Sequence, residues 1–254
     1  MWQFRWLGKS RMIRAVVKWI FSLYFHDGRV VKVMFGPLMN YRWVCNSSHQ
    51  FWMPLGIYEK ETTDWIVSSL REGDTFLDVG ANAGYFTLIG YSSVGPTGKV
   101  IAFDPVPLNC NTVRGHLDQN NITNVVVEDL AVSNTSGKTR FSVQHNNANS
   151  HMSDISISHA TEKEDESIEV DVVKLDDYVA SNKIMPSVIK VDVEGAEKLV
   201  LEGAGMLLRD FNCAWIISTH SSVLYEECKM IMESYGYIVD ELMGFHHELI
   251  CRKL

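Results

Sequence analysis

Five short apolar runs in this chain each end at or beside an acid or a histidine, and the intervals between those end residues are nearly constant. The runs are residues 75–80, 99–104, 124–129, 188–192 and 214–220, and their end residues are Asp78, Asp104, Asp129, Asp192 and His220. From Asp78 to Asp104 is 26 residues, from Asp104 to Asp129 is 25, and from Asp192 to His220 is 28. A strand, a turn and a returning helix take about 30 residues, so each interval holds one βα repeat. Strands alternating with helices at this spacing build a parallel sheet with helices on both faces. Helices are expected at residues 58–70, from Gly84 to about Val94, and at 109–119. Residues 237–239 and 247–251 are expected to close the sheet as a final antiparallel pair.

One interval breaks the rhythm. Asp129 to Asp192 is 63 residues, and the surplus falls at about residues 137–173. Residues 140–143 and 168–173 read as a hairpin around a polar run, 146–166. An insertion of this kind on the ligand side of a sheet is more often a lid or substrate loop than decoration. A disordered surface loop is the alternative. His145, His151 and His159 lie in this run with Asn149 and Ser150, at spacings that fit no standard zinc set. They are expected to be exposed or to line an acceptor site.

Charge divides the chain. Its 254 residues carry a net charge of −8, but residues 1–33 hold seven Lys/Arg against the single acid Asp27, a balance of +6 that leaves −14 on the remainder. An acidic body is a poor partner for nucleic acid, where Lys and Arg must neutralise phosphates. The basic segment is amphipathic: Arg11, Arg14 and Lys18 share one side, and Ile13, Val16, Val17, Ile20, Leu23 and Tyr24 fill the other. Its apolar run is too short to cross a bilayer, which needs about 20 residues. Two expectations follow for it: a helix docked on the domain, or a peripheral contact with a membrane through Lys, Arg and Trp. Residues 30–35 and 41–45 read as two strands joined through Gly36-Pro37, so residues 1–50 form a helix-and-hairpin appendage to a main domain of residues 51–254. Five cysteines, odd in number and without C-x-x-C spacing, point to a reducing, cytoplasmic compartment, with attachment to the inner face of a membrane as the variant.

In open α/β sheets ligands bind beyond the carboxyl ends of the strands, which puts the end residues along one edge. The first strand runs into Asp78-Val79-Gly80-Ala81-Asn82-Ala83-Gly84. Glycine lets backbone approach a ligand closely, but this G-x-x-x-G, with an acid ahead of it, is not a dinucleotide fingerprint. An acid heading the loop suits a cationic ligand. Asp104 is placed to accept about two hydrogen bonds from ribose hydroxyls, and Asp129, or neighbouring backbone, to lie beside the base. A helix cap or loop carboxylate is the ordinary fate of a single Asp. Three at consecutive strand ends are harder to explain that way.

The run Asp78–Gly84, the run Ile101-Ala102-Phe103-Asp104-Pro105-Val106-Pro107 and the block Ile189-Lys190-Val191-Asp192-Val193-Glu194-Gly195-Ala196-Glu197 together resemble the FkbM-type S-adenosylmethionine-dependent methyltransferases. Val173-Lys174-Leu175-Asp176-Asp177 is similar to that family's approach to the fourth strand. The resemblance covers residues 58–220. It implies a class I methyltransferase (Rossmann-like) three-layer sandwich: α/β, with a seven-stranded, mostly parallel sheet whose last strand is antiparallel. It also implies S-adenosylmethionine as cofactor and O-methylation, often of sugar hydroxyls. The cofactor would be held by Glu59, Asp78, Gly80, Asn82, Gly84, Asp104, Asp129 and Asp192, with Glu59 at its methionine end or, alternatively, a plain helix-start acid.

Methyl transfer needs an acceptor oxygen held close and a base for its proton. Lys190, Asp192 and Glu194 alternate, so on an extended strand end they would project to one side, with His220 converging from the next strand. Glu194 or His220 is the expected base, Asp192 a positioning group, and Lys190 a partner for the acids or a purely structural ion pair. No metal is expected: Asp192, Glu194 and His220 could hold Mg²⁺, but the Asp-Asn pair of catechol-type enzymes has no counterpart at Thr219-His220. The expected acceptor is a small molecule or glycan. An NAD-type oxidoreductase and a non-catalytic glycan- or membrane-binding domain of the same fold are the competing readings.

Overall fold

The computed structural model describes residues 25–45, 52–143, 157–158, 166–243 and 247–253. The basic segment before residue 25 and the three histidines of the insertion lie outside them. In chain order the elements are β1 (Val30–Lys32), β2 (Arg42–Val44), α1 (Trp52–Leu55), α2 (Lys60–Ser69), β3 (Thr75–Val79), α3 (Tyr85–Val94), β4 (Lys99–Phe103), α4 (Pro107–Asn120), β5 (Val125–Glu128), β6 (Leu130–Val132), β7 (Gly137–Val143), β8 (Ile157–Ser158) and β9 (Glu166–Val173). They continue as α5 (Leu175–Asn182), β10 (Val188–Val191), α6 (Glu197–Glu202), α7 (Gly205–Asp210), β11 (Ala214–Thr219), α8 (Ser222–Ser234), β12 (Ile238–Met243) and β13 (His247–Arg252). None of the described helices is long and apolar enough to cross a membrane.

Seven strands form the main sheet in the order β12-β13-β11-β10-β3-β4-β5. The pairs β10–β11, β10–β3, β3–β4 and β4–β5 are parallel, and β13 runs antiparallel to both β11 and β12. The central strands are buried on both faces, as a parallel sheet covered by helices requires. Alternate residues sort into two layers. Leu77, Val79, Ile101, Phe103, Ile189 and Ile217 pack against α5, α6, α7 and α8 through Val179, Val200, Leu208 and Met232. Phe76, Val100, Val188 and Ile216 face the other way, onto Ile66 of α2, Leu88 of α3 and Val113 of α4. The result is a three-layer sandwich.

The hairpin β1–β2 shares this second layer. Trp43 is 1% exposed and lies against the ring of His116 at 4.1 Å between centroids. The backbone of β2 is bound by α4: Val44 N donates to His116 Nδ1 at 3.0 Å, Arg42 N donates to Asn120 Oδ1 at 2.7 Å, and Asn120 Nδ2 donates to Arg42 O at 2.7 Å. An asparagine amide thus supplies both halves of a ladder bond to an otherwise open strand edge. The surplus interval forms a separate four-stranded sheet of order β6-β9-β7-β8, in which β7 and β9 are the expected hairpin. The sequence reading has no strand at β6, which pairs in parallel with β9 and ties the insertion to the end of β5.

Candidate active site

The chain leaves β3 outward to β4 and β5, then returns to β10 on the other side of β3. The strand order therefore reverses between β3 and β10, where open sheets hold their ligands. Gly80 sits at this point with φ +87, and a Cβ there would lie 1.8 Å from the Asp192 carbonyl oxygen. Only glycine lets these two loops touch. Gly84, at φ +81, precedes α3 and brings its first turn against Val113.

Asp104, at the tip of β4, holds this loop. Its Oδ2 accepts from Asn82 N at 2.8 Å, and its Oδ1 from Val106 N at 2.9 Å and Asn109 Nδ2 at 3.1 Å. Burial raises its pKa to about 6 against the pull of those three donors. A carboxylate has about four acceptor positions, so one remains on Oδ2, fewer than the two ribose bonds expected of it. Asp129 stands exposed beyond β5, paired at both oxygens with Arg114 at 3.1 Å. Its partial burial acts upward and is outweighed by bonds from Cys110 and Arg114, which hold it below the ordinary carboxylate range.

Lys190 is the hub of the sheet's centre. It is 1% exposed, lies 4.7 Å above the Phe86 ring, donates to Asp192 Oδ2 at 3.0 Å and faces Asp78 Oδ1 at 4.0 Å. Burial disfavours its charge, but Asp192, Asp78 and Glu59 outweigh that and raise its pKa. Asp78 is fully buried and accepts from Thr87 Oγ1 at 2.6 Å. Glu59 precedes α2 in a left-handed conformation, and burial followed by the Asp192 charge pushes its pKa up to about 8.

His220 joins the tip of β11 to α8, whose first turn is capped by Ser221 Oγ accepting from Leu224 N at 3.1 Å. Its Nδ1 bonds Glu197 Oε1 at 2.8 Å, and its Nε2 lies 3.1 Å from Glu194 Oε2 and 3.6 Å from Asp192 Oδ1. Burial alone would lower its pKa. The Glu197 bond and the charges of Glu194 and Asp192 instead raise it to about 9, so His220 is an imidazolium at neutral pH.

The structure thus brings Glu59, Asp78, Lys190, Asp192, Glu194 and His220 together and leaves Asp129 at the rim. One expectation is corrected. Glu194 does not continue an extended strand beside Lys190 and Asp192: β10 ends at Val191, and Glu194 turns back at φ +52 ahead of Gly195 at φ +107. The turn, not strand alternation, aims Glu194 at His220.

Two acids of the site escape sequence reasoning. Glu197 is fully buried and accepts from Gly195 N at 2.9 Å as well as from His220. Its signal is its place in the Asp-Val-Glu-Gly-Ala-Glu block. Glu248, on β13, is 1% exposed and accepts from Thr62 Oγ1 at 2.6 Å and Ser218 Oγ at 3.3 Å. An acid inside the apolar run of β13 is the available clue.

Asp192, Glu194 and His220 each offer a ligand atom within 4.8 Å of the others, close enough to surround a cation. The imidazolium of His220 supplies the positive charge between Asp192 and Glu194, and a metal ion would have to displace its proton. For an organic cation the fit is better. Glu59 Oε2, Asp78 Oδ1, Glu197 Oε2 and Glu248 Oε2 are buried carboxylate oxygens with no hydrogen-bond partner among the described residues. Such groups are costly unless a donor or cation meets them. The sulfonium and ammonium of S-adenosylmethionine are suited to Glu59, Asp78 and Asp192, its ribose to Asp104, and its close approach to Gly80.

A sheet of this order, with a glycine loop at the reversal point and acids at the neighbouring strand ends, defines the class I methyltransferase fold. Residues 78–239 match the family model described as the methyltransferase FkbM domain. The chain belongs to the FkbM methyltransferase family, whose members take S-adenosylmethionine as methyl donor.

Among solved structures, the FkbM methyltransferase from Methylobacillus flagellatus superposes with a TM-score of 0.51 at 17% identity, over 74% of this chain and 50% of that one. The chain thus spans half the length of that relative. An S-adenosylmethionine-dependent O-methyltransferase from Thermotoga maritima gives 0.49 at 11% identity, over 90% and 78% of the two chains. Fibrillarin from Aeropyrum pernix, with natively bound S-adenosyl-L-methionine, gives 0.47 at 13%, over 90% and 83%. Only the first of these supports the fold assignment. None of the curated protein sequences matches this chain.

Proposed function

We propose that the chain is an S-adenosylmethionine-dependent O-methyltransferase acting on a hydroxyl of a sugar, glycolipid or glycosylated metabolite. The observation that carries this reading is a charge imbalance. Six carboxyl groups, Glu59, Asp78, Asp192, Glu194, Glu197 and Glu248, with Glu59 holding its proton at neutral pH, are linked around two cationic side chains, Lys190 and His220. When bound, the cofactor supplies an electrophilic methyl group on a cationic sulfur. The residues of the chain do the rest. Asp104 and the Gly80 loop hold the nucleoside, Glu59 and Asp192 face the positive charge, and Lys190 keeps the acids from repelling one another.

His220 takes the proton of the acceptor hydroxyl as the new carbon–oxygen bond forms. For this it must first be neutral, and a bound cation favours that state by opposing the imidazolium charge. Glu197 fixes Nδ1, so Nε2 is the atom left for the acceptor's proton, and Glu194, 3.1 Å from Nε2, must give way to the acceptor oxygen. Glu194, half-exposed on its turn, is the alternative base.

Incubation with the cofactor and a panel of sugars and glycolipids, read by mass spectrometry, tests the reading. Gain of a methyl group on an oxygen supports it, and binding of NAD with no methyl transfer to any hydroxyl contradicts it. Because the Asp-Asn pair of catechol-type enzymes has no counterpart at Thr219-His220, a chelator is expected to leave the rate unchanged. Loss of activity restored by Mg²⁺ would reverse that part of the proposal.

A further inference from the structure

The outer face of the hairpin carries an arrangement that the fold does not need. Lys32 and Arg42 stand directly opposite each other across β1 and β2, both exposed, and neither has a carboxylate partner among the described residues. Like charges in a directly opposed pair destabilise a hairpin. This pair is also the last one before the connecting turn. Within that turn Met34 is 50% exposed, Phe35 55% and Met39 57%, while Leu38 between them is wholly buried and anchors the loop. The turn is braced from below: Met34 N donates to Pro54 O at 3.3 Å and Phe35 N to Leu55 O at 3.1 Å. Ile57, just beyond that brace, is 39% exposed. A rigid turn therefore presents large apolar side chains with two unneutralised cations behind them.

Single exposed apolar residues need no explanation, but a cluster on one fixed turn marks a contact surface. The charges select the partner. Residues 25–45 contain Arg29, Lys32 and Arg42 against Asp27, and the 24 residues before them contain five Lys/Arg and no acid. The remainder of the chain is strongly acidic. An anionic lipid surface answers all three features. It neutralises the opposed cations, it takes apolar side chains below the headgroups, and it disfavours contact through the acidic remainder of the chain.

We infer that the turn at residues 34–39 is a membrane-contacting element, inserted into an anionic leaflet and held by Lys32 and Arg42. The inference does not depend on the methyl-transfer reading, since the hairpin lies outside the matched residues 78–239.

The test uses the full chain with residues 1–24 present. Because all five cysteines are buried, a Met39→Cys variant can carry an environment-sensitive dye at the turn. Its emission is expected to shift to the blue with vesicles of phosphatidylcholine and phosphatidylglycerol, and not with phosphatidylcholine alone. Flotation with the mixed vesicles is expected to fall about tenfold in Phe35→Glu/Met39→Glu and in Lys32→Glu/Arg42→Glu. Melting temperature and S-adenosylmethionine binding should stay at the parent values, which separates lost docking from lost folding. Flotation unchanged in both double variants overturns the inference, because the basic segment would then act alone. Equal binding to neutral vesicles, or a concentration-dependent blue shift without vesicles, also overturns it, the latter by pointing to a second copy of the chain as the occupant.

Discussion

Gly80 shows how narrowly one position is determined. Its φ of +87, and the 1.8 Å that would separate an added methyl from the Asp192 carbonyl oxygen, leave no room for a side chain. Gly80→Ala is expected to cost roughly 1–3 kcal/mol from the backbone conformation alone, with a further penalty from the overlap. Thermal denaturation measures the loss, and calorimetry should show cofactor binding gone with it. The protonation states of Glu59 and His220 give a second prediction. Both carry raised pKa values, about 8 and about 9, and both therefore hold protons at pH 7 that a bound cation disfavours. Cofactor binding at pH 7 is expected to release protons, seen as a binding enthalpy that varies with the ionisation heat of the buffer. Uptake of protons would contradict the site as described. His220 also sets a pH profile: kcat/KM, which reports the free enzyme, should rise toward pH 9, and kcat should level off at lower pH. The limb should vanish in His220→Asn and move in Glu197→Gln. If it survives in His220→Asn, Glu194 is the base. Asp78, Asp104 and Asp192 are legible in the sequence because each stands at or beside the end of an apolar run, and Gly80 because it opens the G-x-x-x-G turn after the first of them. Glu248 is not, because its closeness to Lys190 exists only once β13 has been placed beside β11.

Among the elements, the β1–β2 hairpin is the one whose attachment the sequence least reveals. Three-residue strands carry almost no periodicity, yet Val31, Leu38 and Trp43 enter the same apolar layer as Phe76 and Ile89. Trp43→Ala is expected to destabilise the whole domain by about 3–5 kcal/mol, as truncation of a buried tryptophan does. A single cooperative denaturant transition shifted to lower midpoint is the expected observation, and a midpoint unchanged from the parent would mean that the hairpin is a loosely held appendage. The parallel strands and the helices α2, α3 and α4 are readable because short apolar runs recur there at nearly even spacing. The order β12-β13-β11-β10-β3-β4-β5 is not readable from spacing, since any parallel sheet fits the same intervals; the family resemblance implies only seven strands with the last antiparallel. The β6–β9 pairing is hidden for a related reason: Leu130-Ala131-Val132 directly follows β5, and nothing in those three residues says which partner they take. Glu194 is misplaced when alternation is extended past Val191, because Glu194 and Gly195 turn the chain toward α6.

Taken as a whole, the molecule separates its charges by task. Acids collect at the carboxyl ends of the central strands, where four buried carboxylate oxygens have no hydrogen-bond partner among the described residues, and the sequence concentrates bases in its first 42 residues. The exposed side chains of the hairpin and the buried acids of the site are different residues, so the two functions are expected to be separable by substitution. A protein that has lost the surface contact should still bind its cofactor, and one with a damaged strand-end site should still bind vesicles. Titration calorimetry of the intact chain with S-adenosylmethionine, repeated with Asp104→Ala and with NAD, tests the central claim most directly. Saturable binding of S-adenosylmethionine that is lost in Asp104→Ala, with no heat from NAD, is the predicted result. Binding of NAD in place of S-adenosylmethionine would contradict it.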